Sequence, residues 1–88
     1  MLVTDSSKWI VYLLECANEH LYCGITNDIS KRIKQHNGEL KGGAKYTKAN
    51  KPCRLVFQES AISRSAALRR ESEIKKLKRI DKIKLISL

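Results

Sequence analysis

The chain has no apolar run approaching the ~20 residues needed to span a membrane, and its first residues lack the charged-then-apolar layout of a signal peptide. A cytoplasmic protein with no membrane partner is therefore expected. Cysteine is scarce: Cys16, Cys23 and Cys53 are odd in number and contain no Cys-x-x-Cys spacing, which argues against a disulfide framework. A zinc site drawn from Cys16, Cys23, His20 and His36 would lack the paired short spacings of structural zinc motifs, so reduced core cysteines are the simpler reading. There is one proline, no internal repeat and no second domain pattern; 88 residues make one domain with one modest core. Acidic residues are the last shortage. Nine Asp and Glu stand against 18 Lys and Arg, a net charge of +9 that favours a polyanionic partner, nucleic acid ahead of an anionic membrane surface.

What is present is organised around the stretch from Trp9 to Asn37. Two short runs rich in Val, Ile, Leu and Tyr, near 8–16 and 20–26, read as strands joined through Ala17-Asn18-Glu19 as a β-hairpin. With a three-residue turn, Cys16 faces His20, Tyr12 lies opposite Gly24, and Tyr12, Cys16, His20 and Tyr22 share one face. A four-residue turn would split the two tyrosines. Asn27 and Asp28 can cap a helix over 28–37 that stops before Gly38, with Ile29, Arg32, Ile33 and His36 along one stripe.

Residues 1–8 are polar and unpatterned, a lead-in. Residues 38–52 read as a loop, loosened by glycines and charged by Lys41, Lys45, Lys48 and Lys51. Tyr46 within it either stacks on a base or binds a phosphate, or else pins the loop to the core. A third strand is expected near 53–59, then a helix over 63–79 and a short one over 81–87. The fold class is α+β: a three-stranded antiparallel sheet flanked by helices, one domain over 1–88 with its core about 9–79. In the long helix Ala67, Leu68 and Ile74 surround Glu71, placing that carboxylate on the inward stripe. An inward carboxylate must be paired, protonated or metal-bound.

Tyr12 after Ile10-Val11, then Tyr22-Cys23-Gly24, then Arg32, resembles the GIY-YIG nuclease module, in particular its small stand-alone bacterial members. The likeness extends to Gly43-Ala44-Lys45-Tyr46-Thr47 and to Glu71 in its Ala-Leu-Arg-Arg-Glu context. Ile10 departs from the first name-giving glycine, Cys23 from the central isoleucine, and Ile25 from the lysine of the family's excision-repair nucleases. The resemblance implies a metal-dependent endonuclease hydrolysing phosphodiester bonds in nucleic acid, DNA more readily than RNA, with repair or processing of structured DNA within its range. It implies catalytic Tyr12, Tyr22, Arg32 and His36, the motif glycine Gly24, and Glu71 as ligand to Mg²⁺ or Mn²⁺. Lys41, Lys45, Tyr46 and Lys48 would contact the nucleic acid, and the protein would act as a monomer. The five chemical residues are expected on one concave face, and a Glu71 across the sheet from the tyrosines would end the idea of that single site. The alternative is a basic nucleic-acid-binding module without useful catalysis.

Overall fold

A computed structural model describes residues 8–87; all but the last residue of the expected lead-in lies outside the described residues. Strand β1 (Trp9–Glu15) is central, paired antiparallel with β2 (Leu21–Thr26) on one side and β3 (Arg54–Ala61) on the other. Helix α1 (Ile29–His36) follows the hairpin, α2 (Lys45–Ala49) precedes β3, and α3 (Arg64–Lys75) and α4 (Arg79–Ile86) close the chain. The hairpin turn has three residues. The amide of Cys16 donates to the His20 carbonyl at 3.0 Å, and Glu19 takes the left-handed conformation at φ 68°. The resulting register sets Tyr12 opposite Gly24 and Leu14 opposite Tyr22, as the sequence predicts.

Val11, Tyr12, Leu13 and Leu14 are all buried because both faces of the central strand are covered. Alternation then divides the core in two. Tyr12, Leu14, Cys16 and Cys53 pack with Tyr22 and with Ile29 and Ile33 of α1. Val11, Leu13 and Cys23 point the other way, against Ala67 and Ile74 of α3 and Leu85 and Ile86 of α4. So α1 covers one face and α3 with α4 the other, while β2 forms an edge of the sheet.

Three sequence expectations are corrected here. The 38–52 loop holds a five-residue helix, α2, rather than being irregular throughout. The long helix ends at Lys75 instead of 79, and the last one begins at Arg79 instead of 81. No glycine or proline marks that break; the Leu77 amide turns back to the Ile74 carbonyl at 3.0 Å and Lys78 is extended, which brings Leu85 and Ile86 onto the core. Leu68, expected in the apolar stripe, is 39% exposed; the buried residues of α3 are Ala67 and Ile74, and Arg70 ties the helix to Glu59 of β3 at 2.9 Å.

Candidate active site

Gly24 exists for Tyr12. A methyl group at Gly24 would lie 2.5 Å from the Tyr12 hydroxyl and 2.7 Å from its ring carbon, so only glycine lets the phenol cross β2. That phenol is 1% exposed. We expect Gly24→Ala to destabilise the protein by ~1–3 kcal/mol, the usual cost of overpacking a filled core, in urea unfolding. A change within error of wild type would show that Tyr12 moves aside freely.

Behind Tyr12 lies a chain of polar groups. Its hydroxyl is 2.8 Å from His36 Nε2, and His36 Nδ1 is 2.7 Å from the Thr47 hydroxyl. Thr47 in turn donates to the Ala44 carbonyl at 2.9 Å. Because Thr47 spends its proton on that carbonyl, it accepts from His36 Nδ1–H, which leaves Nε2 as the acceptor for the Tyr12 proton. The direction of every hydrogen bond is thus set by one backbone carbonyl. His36 and Thr47 are both fully buried, and His36 also stands edge-on to Tyr22 with ring centroids 5.1 Å apart. Thr47 carried no sequence signal of this role beyond its place after Tyr46.

Burial, with the Arg32 guanidinium adding to it, lowers the His36 pKa to about 4, so the ring is neutral at neutral pH. Burial likewise pushes the Tyr12 phenol up to about 12, with Arg32 nearby acting in the opposite sense. His36 therefore ties stability to pH. Above pH 6.5 it is neutral folded and unfolded and contributes nothing. As pH falls from 6.5 the unfolded chain binds a proton that the folded chain refuses, so stability is lost until about pH 4. The loss from this group should reach about 3 kcal/mol. Urea unfolding of wild type and His36→Gln across that range should show a shallower pH slope in the variant; equal slopes would contradict a neutral buried imidazole.

Arg32 projects from the same stripe of α1 and is half-buried, its guanidinium 2.9 Å from the Gln35 amide oxygen. It lines an open cleft of about 280 Å³ with Trp9, Ile25, Asp28, Lys31 and Gln35. Trp9 and Gln35 were not marked by the sequence. Tyr22 keeps partial exposure, unlike Tyr12.

Glu71 comes from α3, hence from the other layer. Its side chain is 17% exposed and pairs with Lys75 at 3.3 Å. Burial first, then the charge of the Glu71 carboxylate, raise the Cys23 thiol to about 11. The expectation of one concave face, and with it the single site as the sequence places it, is therefore corrected. Each helix does turn its stripe inward, but α1 meets the even-numbered side chains of β1 and α3 the odd-numbered ones. Glu71 and the tyrosines still flank one element. Tyr22 and Cys23 are neighbours on edge strand β2 and pack into opposite layers. No three His, Cys, Asp or Glu side chains converge as a metal site among the described residues. A cation here would have Glu71 as its one carboxylate.

Lys41, Lys45 and Lys48 are exposed, the latter two on α2. Tyr46 is 38% exposed and does not enter the core. Its hydroxyl instead meets Asn18 Nδ2 at 2.8 Å and His20 Nδ1 at 2.9 Å across to the hairpin turn.

The sequence profile of the GIY-YIG catalytic domain matches residues 8–84. The chain belongs to the GIY-YIG family. This GIY-YIG chain is 49% identical over 80 residues to a UPF0213 protein of Syntrophus aciditrophicus, covering 91% of each. It is 48% identical to one of Staphylococcus saprophyticus, covering 91% of this chain and 95% of that one. The solution NMR structure of the UPF0213 protein BH0048 from Bacillus halodurans is similar at a TM-score of 0.57 and 42% identity, over 91% of this chain and 83% of that one. None of these names states a reaction. Among the described residues no helix is long and apolar enough to cross a membrane.

Proposed function

We propose that this GIY-YIG chain is a metal-dependent endonuclease that hydrolyses phosphodiester bonds, DNA ahead of RNA, with the scissile phosphate at the rim of β2. The observation that carries the reading is the buried Tyr12–His36–Thr47 chain set directly behind Tyr22 and Arg32. A purely structural core would gain nothing from three polar side chains there, since isosteric apolar groups serve as well or better.

Hydrolysis forms a bond from water oxygen to phosphorus, breaks the bond to the leaving oxygen and moves a proton off the water. Tyr12 is sealed from solvent and its proton is committed to His36, so its part is to hold the imidazole and the Tyr22 ring. Tyr22 is the phenol that reaches the rim and orients the water. The Tyr22 oxygen would accept a hydrogen bond from the attacking water and so aim it, while the proton the water loses passes to solvent or a substrate phosphate oxygen and the leaving oxygen takes one from solvent. Arg32, always charged and able to bind two oxygens at once, neutralises the charge gathering on phosphate.

Glu71 fits a Mg²⁺ or Mn²⁺ that keeps several waters and takes one protein carboxylate plus substrate oxygens. When bound, such a cation polarises the phosphate and eases departure of the leaving oxygen. The Lys75 ammonium is 56% exposed on a flexible stem, so it can swing aside and leave the Glu71 carboxylate to a divalent cation. The same ion pair is the one observation that favours the alternative, a binding module whose Glu71 stays paired. The cytoplasm, the monomeric state and a role on branched or flapped DNA belong to the proposal. The experiment is cleavage of branched, flapped and single-stranded DNA with Mg²⁺ or Mn²⁺. Cutting of any of them, abolished by chelator, supports the enzyme; binding of all without cutting by either metal leaves the binding module.

A further inference from the structure

The basic cavity at the other end of β2 has no part in that chemistry. It measures about 360 Å³ and is lined by His20, Leu21, Tyr46, Arg79 and Lys82, drawn from the hairpin, α2 and α4. We propose that it is a subsite for one unpaired nucleotide of a bound strand, the base lying on Tyr46 and His20 and the phosphate held by Arg79 and Lys82. The inference rests on reading the chain as a protein that handles nucleic acid, and not on its cutting.

The two rings make a built surface. They are within 9° of parallel with centroids 6.5 Å apart, and the Tyr46 hydroxyl meets His20 Nδ1 at 2.9 Å. That separation is close to the in-plane reach of phenol oxygen, hydrogen bond and imidazole laid end to end. The rings therefore sit side by side as one flat platform, with their faces free. Asn18 fixes both halves: its Oδ1 accepts from the His20 amide at 3.2 Å and its Nδ2 donates to the Tyr46 hydroxyl at 2.8 Å. A flat aromatic surface beside paired cations is the arrangement that holds single strands, since every base offers a π-face and every nucleotide a phosphate. A duplex keeps its bases stacked on each other and cannot use such a platform.

Cations outnumber acids around the cavity. Asp81 on α4 is 3.8 Å from Lys84, while Arg79 and Lys82 form none of the ion pairs seen among the described residues. Leu21, which lines the cavity, is the neighbour of Tyr22 on β2. A strand seated here would continue along the rim of β2 toward Tyr22. The subsite would set the register of the strand and select for unpaired nucleotides next to the cut.

The test is fluorescence anisotropy with a labelled single-stranded DNA and the same DNA carrying abasic residues, measured on the full chain. Tyr46→Ala should weaken binding to intact single strand by roughly 5- to 100-fold, the range of one base–aromatic stack, and should leave binding to abasic strand and to duplex nearly unchanged. Asn18→Ala should do the same more mildly, and both side chains are exposed, so folding is spared. Arg79→Ala with Lys82→Ala should weaken intact and abasic strands alike and flatten the log–log salt slope by about 0.7 per phosphate lost. Equal losses of Tyr46→Ala on intact and abasic strand, or none on either, would overturn the platform. An unchanged salt slope in the double variant would overturn the phosphate contacts. A wild-type protein that shows the intact-versus-abasic difference but never cuts overturns the endonuclease and leaves this subsite standing.

Discussion

Glu71→Gln loses cleavage and keeps, or gains, affinity for nucleic acid. The amide preserves the shape of a side chain on a helix anchored elsewhere, by Ala67 and Ile74, so the fold is unaffected. It removes the one carboxylate expected to hold the cation, and with it the Lys75 ion pair. It also removes a negative charge from a rim that meets polyanions, which is why affinity should not fall. The expected loss in single-turnover rate exceeds the ~10²–10³ typical of deleting a single electrostatic donor from an active site. Binding measured on the same oligonucleotide separates the two effects. Cleavage surviving in purified Glu71→Gln would show that the metal is held elsewhere.

Arg32→Ala should cost both rate and affinity. Its guanidinium opens into the Trp9–Gln35 cleft, donates to the Gln35 amide oxygen, lies beside the Tyr12 hydroxyl and is paired with no carboxylate among the described residues. Removing it takes away a phosphate contact and the charge opposing the transition state together. The single-turnover rate should fall by ~10²–10³. The salt slope of binding should flatten by about 0.7–0.9, one phosphate's worth. A variant that cuts within a few-fold of wild type would shift transition-state stabilisation to another cation, with Lys31 at the same cleft the first to examine.

The hairpin, its register and the inward stripe of α1 were legible because each is a local matter. Strand alternation and a three-residue turn place Tyr12 over Gly24, and helical spacing puts His36 under both tyrosines. The face that each helix covers was not legible. Periodicity says that Glu71 turns inward on α3, but not whether α3 lies with α1 or across the sheet from it, since strand β1 is apolar on both sides and accepts a helix on either. The break at Leu77 was missed for want of a glycine or proline, and α2 because five residues are too few to show a period. The Thr47 and Asn18 contacts join residues 11 and 28 apart, and no local pattern reports such pairs.

The claim that matters most is that residues from opposite faces meet at the rim of β2 to share one cation. Paramagnetic broadening by Mn²⁺ of the backbone amides of isotope-labelled protein, with a non-hydrolysable oligonucleotide bound, tests it directly. The account predicts that amides around Tyr22 and Cys23 in β2 and around Glu71 in α3 broaden together, and that Glu71→Gln abolishes both. Broadening that persists in Glu71→Gln, or that touches α3 without β2, would contradict a shared site.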